Sequence, residues 1–285
     1  MNAAIRYPAV AGAFYPADSK ELESAVKACL PRDAPQPTEG RGRLFALMLP
    51  HAGYVYCGRV IGETLAAAFG TSGTTPPSRY IVLCPNHTGQ GHPLGVWPNG
   101  AWLTPLGPTA VDKDLTLALT RGVFEEDTRC HLREHSIEVL LPFVQVLTRN
   151  KAKIAAVCVG ARDPGTLRAA GLELAAVLKT ANVNNPAEIC LLVSSDMNHY
   201  DDEQTTLKKD DIALERALSC DPDGLLAVVA KHGITMCGAA PLAVALYAAR
   251  ALGAPSAGLV KHTTSAAASG DVSRTVGYAG MQFFL

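Results

Sequence analysis

The stretch LFALMLPHAGY, Leu44–Tyr54, decides how this chain is read. Six apolar residues run without a charge and stop at Pro50 and His51. A run that short and continuous fits a strand covered on both faces, as in the parallel sheets of α/β proteins. Proline cannot extend the ladder, so His51 is delivered just past the strand's C-terminal end. The same grammar recurs. Tyr80–Cys84 runs into Pro85, Asn86 and His87, and Ile189–Val193 runs into Ser194, Ser195, Asp196 and then His199. Ile154–Val159 and Val276–Leu285 are further runs of this type.

Between these runs lie segments of helical period: Glu134–Leu147, Leu167–Thr180, Leu207–Leu218, Leu225–His232 and Pro241–Leu252. Strands alternating with helices predict a layered α/β fold. Ala34–Arg43 and Thr71–Ser78 are rich in proline, glycine and polar residues, and each separates a helix from the next strand. Both are short for interdomain linkers. No internal repeat is present.

Composition narrows the class. The chain has 285 residues, 48% hydrophobic and 18% charged, with a net charge of −1. That supports a sizeable core and argues against a phosphate-gripping nucleic-acid binder. The N-terminus lacks the apolar core of a signal peptide. The most apolar run, Ala239–Ala254, contains Pro241, Arg250 and Gly253 and reads as a buried helix, not a membrane span. The expected location is the cytoplasm. Eight cysteines are scattered without a CxxC pair, against a disulfide framework or zinc knuckle. Motifs of P-loop enzymes, dinucleotide enzymes and zincin proteases are absent.

Three histidines at or beyond strand ends mark the edge where α/β sheets bind ligands. His51 and His87 read as a pair of metal ligands or as two ordinary loop histidines. Asp196 can orient His199 as a general base, or Ser194, Ser195 or Asp196 can cap a following helix. Cys237 follows a helix ended by Gly233 and precedes Pro241, which suits the first turn of the next helix. There the helix dipole favours thiolate, a ligand or nucleophile; the alternative is a buried structural cysteine. Glu134–Glu138 reads as a charged helix start with its two acids on one face and His135 pointing elsewhere. His262 follows the strand-like Gly258–Val260 and could reach the same edge. His92, His131 and His232 have no evident partner.

Together these motifs resemble a known family. Arg6-Tyr7-Pro8, Gly12–Pro16, Pro50–Tyr54, Pro85–His87, Glu134–Glu138, Ser194–Asp196 with His199, Cys237-Gly238, Asp271 and Val276–Tyr278 occur in the order of the Memo family. The likeness is greatest to its bacterial and archaeal members called AmmeMemoRadiSam system protein B. It runs almost end to end. It implies a fold similar to the class III extradiol ring-cleavage dioxygenases (LigB-like): a single α/β domain over 1–285, a layered sheet with helices on both faces. It assigns metal ligation to His51, His87 and Cys237 and acid/base work to His199; Asp196 is the expected orienter of His199, and His135 and Tyr54 are additional cleft candidates.

The implied metal is Fe(II), with Cu or Zn as alternatives, because Cys237 stands where the dioxygenases have a carboxylate and thiolate is a softer donor. The first functional expectation is thus a non-haem iron or copper redox protein, dioxygenase-like, of unknown substrate. The second is a binding or adaptor protein, holding a small molecule or peptide and acting with AMMECR1-like and radical SAM partners. The third is a hydrolase with Cys237 as nucleophile, His199 as base and Asp196 as orienter.

Overall fold

A computed structural model describes residues 4–31, 42–70, 76–181 and 189–285. In chain order the first elements are β1 (Ile5–Arg6), α1 (Ser19–Cys29), β2 (Leu44–Leu49), α2 (Tyr54–Phe69) and β3 (Arg79–Pro85). Next come β4 (Leu94–Val96), β5 (Ala101–Thr104), β6 (Gly107–Val111), α3 (Lys113–Leu119), β7 (Glu125–Glu126), α4 (Leu141–Thr148) and β8 (Lys153–Val159). The C-terminal half adds α5 (Pro164–Ala181), β9 (Ile189–Ser194), β10 (His199–Asp201), α6 (Glu203–Leu218), α7 (Pro222–Lys231), α8 (Ala239–Leu252), β11 (Ser256–Thr264), α9 (Ala266–Ser269) and β12 (Thr275–Phe284). The five apolar runs are thus β2, β3, β8, β9 and β12, within a residue or so at each end. Of the two proline- and glycine-rich connectors, residues 34–41 and 71–75 lie outside the described residues.

The strands form one mixed sheet whose central path is β8-β3-β9-β2-β12. The first four are mutually parallel and β12 is antiparallel to β2. β9 lies between β2 and β3, so the strands that deliver His51 and His87 flank it and do not touch. The connection from β2 through α2 to β3 passes over the place of β9. The connection from β8 through α5 to β9 returns in the opposite direction. Right-handed crossovers running in opposite directions must lie on opposite faces of the sheet.

The core shows that arrangement. Ala46, Met48, Ile81, Leu83, Leu191 and Val193 face one way, against Leu167 and Leu174 of α5 and Leu242 and Leu246 of α8. Leu47, Leu49, Tyr80, Val82, Cys190 and Leu192 face the other, against Leu22 of α1, Ile61 of α2 and Phe143 of α4. Neighbours such as Leu191 and Leu192 are both fully buried but belong to different layers. Truncating either to alanine costs about 3 kcal/mol. This is one α/β domain with helices on both faces of its sheet. No helix among the described residues is long and apolar enough to cross a membrane.

One expected element is shorter than its sequence pattern. The helix read from Glu134 begins as a 3₁₀ turn at Glu138–Leu140 and becomes α4 only at Leu141, with Pro142 in its first turn. Glu134 and His135 have no regular secondary structure, and Ser136 and Ile137 form a turn. The acids there are not a solvated helix face: Glu134 and Glu138 are both fully buried, because distant donors converge on them.

Candidate metal centre

His51 emerges from β2 with its ring buried. Its backbone N–H donates to Asp196 Oδ1 at 2.7 Å, and its ring Nδ1 lies 2.7 Å from Ser194 Oγ. Ser194 has one hydroxyl hydrogen and donates it to the Ser136 carbonyl at 2.7 Å. Ser194 Oγ must therefore accept from His51, which makes Nδ1 the protonated nitrogen and leaves the lone pair on Nε2. Burial, helped by the neighbouring imidazoles of His135 and His87, holds the ring well below the usual histidine range and keeps it neutral. Neutral imidazole with a committed Nδ1–H is the form that binds metals.

His87 is prepared in the same way from the end of β3. Its backbone N–H donates to Glu134 Oε2 at 2.7 Å, and ring Nδ1 lies 2.9 Å from Glu134 Oε1. Burial pushes the Glu134 carboxyl up, but the hydrogen bonds and charge of His87 and the bonds from Ser136 outweigh it and bring it down to about 2. The carboxylate is therefore an acceptor only, and it receives Nδ1–H. Burial pulls the His87 ring down, yet Glu134 prevails and the ring is raised above the ordinary value.

His135 completes the group from the turn before α4. One ring nitrogen from each of His51, His87 and His135 lies within 4.8 Å of the other two. The ring centroids are 5.2 Å apart for His51 and His87, 5.4 Å for His51 and His135, and 5.0 Å for His87 and His135. Burial lowers the His135 pKa against the pull of Glu134. Its inward aim goes with the non-helical backbone at 134–137; on the expected helix it would have pointed away.

Cys237 approaches the His51 side of this group from the loop before α8, but among the described residues the ligand atoms that converge within 4.8 Å are those of the three histidines and do not include its Sγ. Its Sγ lies 3.4 Å from His51 Nε2 and accepts the Asp196 backbone N–H at 3.2 Å. The loop comes close because residue 238 is glycine: a Cβ there would fall 2.2 Å from Ser195 Cβ. The expected thiolate does not follow from the helix terminus. Burial, and then the charge of Asp196, push the Cys237 thiol well up. A thiol in that setting gives up its proton when a cation replaces it.

Asp196 and His199 both line the cleft, but not as the expected dyad. Asp196 Oδ1 takes the His51 N–H, and the His199 ring Nδ1 lies 2.9 Å from the Thr235 carbonyl. Thr235, not Asp196, orients the imidazole. Burial raises the Asp196 carboxyl, against the His51 N–H and the surrounding imidazoles. No helix follows for Ser194, Ser195 or Asp196 to cap, since His199 opens β10 and α6 is capped by Asp202. The arrangement needed for a Cys237–His199–Asp196 hydrolase is also replaced: the imidazole beside Cys237 is that of His51.

Tyr54 lies beneath the cleft, not in it. Its hydroxyl donates to the Val139 carbonyl at 2.8 Å and its ring packs on Tyr15 and Phe143. Tyr56, two residues on and so on the other side of α2, lines the cleft instead. His262 does not reach this edge; its Nε2 lies 2.8 Å from Asp210 Oδ2. The cleft measures about 630 Å³, with the histidines at its floor and Phe14, Tyr56, Tyr200 and Tyr278 on its walls. The Phe14 ring stands edge-on to His135 at 4.9 Å.

Three supports escaped the sequence reading. Glu134 and Ser194 fix the tautomers of His87 and His51. The segment carrying Phe14 is held by Glu138, which accepts from Arg6, from the N–H groups of Ala9 and Val10 at 2.8 and 3.0 Å, and from the Tyr15 hydroxyl at 2.6 Å. Two acids inside an apolar context were the available signal, since such acids are rarely buried without partners.

Known proteins are similar in sequence to this chain over almost its full length. A MEMO1 family protein of Methanopyrus kandleri is 37% identical over 285 residues, covering 98% of each chain. One of Ignicoccus hospitalis is 37% identical over 287 residues with 98% of each covered, and one of Saccharolobus solfataricus 37% over 288 residues with 98% and 99% covered. Among solved structures, an uncharacterized protein of Escherichia coli K12 superposes with a TM-score of 0.55 at 11% identity. That match covers 84% of this chain and 99% of the other, and concerns the fold alone. A family model described as Memo-like protein matches residues 6–282, and the chain belongs to the Memo family.

Proposed function

We propose that this chain is a metal-dependent, dioxygenase-like oxidoreductase in which His51 and His87 anchor a first-row transition metal, flanked by His135 and Cys237. The observation that carries the reading is the convergence of three ring nitrogens within 4.8 Å, two of them on rings whose Nδ1 is already committed to a polar partner. The charge balance fits a cation: a buried ionised Glu134 and the buried Asp196 lie around the neutral His51 ring. The mixed imidazole and sulfur donor set favours iron(II), copper or zinc over magnesium or calcium. Of these, iron and copper support redox work, and Fe(II) is the metal we assign.

Such an ion, when bound, supplies redox chemistry on oxygen-containing ligands. The chain's own residues do the rest. Glu134 and Ser194 hold the ligand rings. Phe14, Tyr56 and Tyr278 make apolar walls that restrict water around a small molecule. His199, at the rim, takes a proton from the bound molecule on Nε2. Metal analysis of protein prepared without oxygen tests the reading, together with oxygen consumption by the iron-loaded protein. One iron or copper per chain is expected. Metal-free protein that retains full activity would overturn it.

A further inference from the structure

His199 sits beside Asp196 and Cys237 in the cleft but neither of them sets its ring. Its backbone N–H donates to Thr235 Oγ1 at 2.7 Å, and its Nδ1 lies 2.9 Å from the Thr235 carbonyl oxygen. A carbonyl can only accept, so Nδ1 carries the hydrogen. In the neutral ring the lone pair is then on Nε2.

Thr235 is itself gripped. Its N–H and its hydroxyl both lie 3.1 Å from Asn198 Oδ1. Asn198 is fully buried and tied on both sides: its N–H donates to Asp210 Oδ1 at 2.8 Å and its Nδ2 to Asp201 Oδ2 at 2.8 Å. Asp210 in turn meets His262 Nε2 at 2.8 Å. The loop that carries Thr235 is thus fastened to the end of β9 by side chains, with no sheet pairing, and the Gly238 N–H adds a bond to Ser195 Oγ at 3.1 Å.

We infer that Thr235 and Asn198 are positioning residues for His199: they fix its ring as the Nδ1–H tautomer, so that Nε2 meets a cleft ligand as a proton acceptor and not as a donor. This rests on the proposed role of His199 in proton transfer, but the tautomer exists in metal-free protein and is measured there. The Thr235 hydroxyl is the removable part of the clamp. It accepts from the His199 backbone and donates to Asn198, and without it the carbonyl hangs on a single N–H bond.

The experiment is ¹⁵N NMR of histidine-labelled, metal-free protein in buffer alkaline enough to leave imidazoles neutral, with His199→Gln identifying the resonances. Wild type is expected to show one His199 tautomer, protonated at Nδ1. Thr235→Val is expected to shift the ratio of the two tautomers about tenfold towards Nε2–H, the size of one net hydrogen bond. Thr235 is exposed, so its replacement leaves the core intact; Thr235→Ala carries the same expectation, and Thr235→Ser restores the wild-type ratio. An unchanged ratio in the valine and alanine variants, or failure of serine to restore it, overturns the inference. Absence of metal from wild-type protein would overturn the proposed function and leave this result standing.

Discussion

The Glu134 carboxylate receives two hydrogen bonds from one residue, the backbone N–H of His87 at 2.7 Å and its ring Nδ1 at 2.9 Å. The first fixes where the loop lies and the second fixes which way the ring points. Glu134→Gln keeps the volume but turns one acceptor oxygen into a donor facing a donor. Metal affinity is expected to fall about 10–100-fold, the usual effect of losing such a support. Competition with a chelating indicator measures it, and an affinity equal to wild type would show that His87 needs no such partner.

Glu138 plays the corresponding part for the N-terminal segment. It accepts from Arg6, Ala9, Val10 and Tyr15 at once, in a fully buried position. Glu138→Ala leaves the Arg6 guanidinium buried without its carboxylate, at a cost of about 3–5 kcal/mol. Hydrogen exchange is expected to accelerate first at the Ala9 and Val10 amides, with Phe14 leaving its contact on His135. Unchanged protection of those amides would mean that the segment is held by its apolar packing.

These two acids also show what the sequence could and could not disclose. Strands such as Leu44–Leu49 and Ile189–Ser194 were legible because both faces are buried and the apolar run is unbroken. The sites of His51 and His87 followed, since a strand that ends at proline delivers the next side chain to the sheet edge. The insertion of β9 between β2 and β3 was not legible, because strand order depends on pairings between distant segments. The short β4, β5, β6 and β7 have too few residues to establish a period. Residues 134–138 misled for a different reason. Acids at i and i+4 look like a solvated helix face, and only the arrival of Arg6 and His87 from elsewhere turns both inward. His199 was placed at the right edge, but its partner is a backbone carbonyl, which no side-chain pattern reveals.

Cys237 lies 3.4 Å from His51 Nε2, close enough for both to serve one ion. Cobalt(II)-loaded wild type is expected to show a sulfur-to-metal charge-transfer band that Cys237→Ser lacks, while His135→Ala keeps the band and binds more weakly. A band-free wild-type spectrum would remove the sulfur from the ligand set.

Away from the cleft, Asp112 pairs with Arg79 Nε and Nη2 at 2.6 and 2.9 Å and caps α3 through the Leu115 N–H. Burial raises its carboxyl, but these donors outweigh it and hold the folded value below the ordinary 3.8. A depressed carboxylate stabilises the fold above its unfolded value and loses that contribution as pH falls through the folded one. Asp112→Asn is expected to lower stability by about 2 kcal/mol at neutral pH and to flatten the acid limb of the stability curve. Urea melts across pH 2–7, roughly the range in which carboxylates titrate, measure both; parallel acid limbs in variant and wild type would contradict the assignment.

His51 belongs to every version of the proposed ligand set, touching the histidine cluster on one side and Cys237 on the other. The most direct measurement is therefore the metal content of protein prepared without oxygen, wild type against His51→Ala, with the fold of each confirmed by circular dichroism. The expected result is about one transition metal per chain in wild type, iron or copper, and at least tenfold less in the variant, as for loss of an entire ligand. Equal metal content in the two proteins would contradict the account.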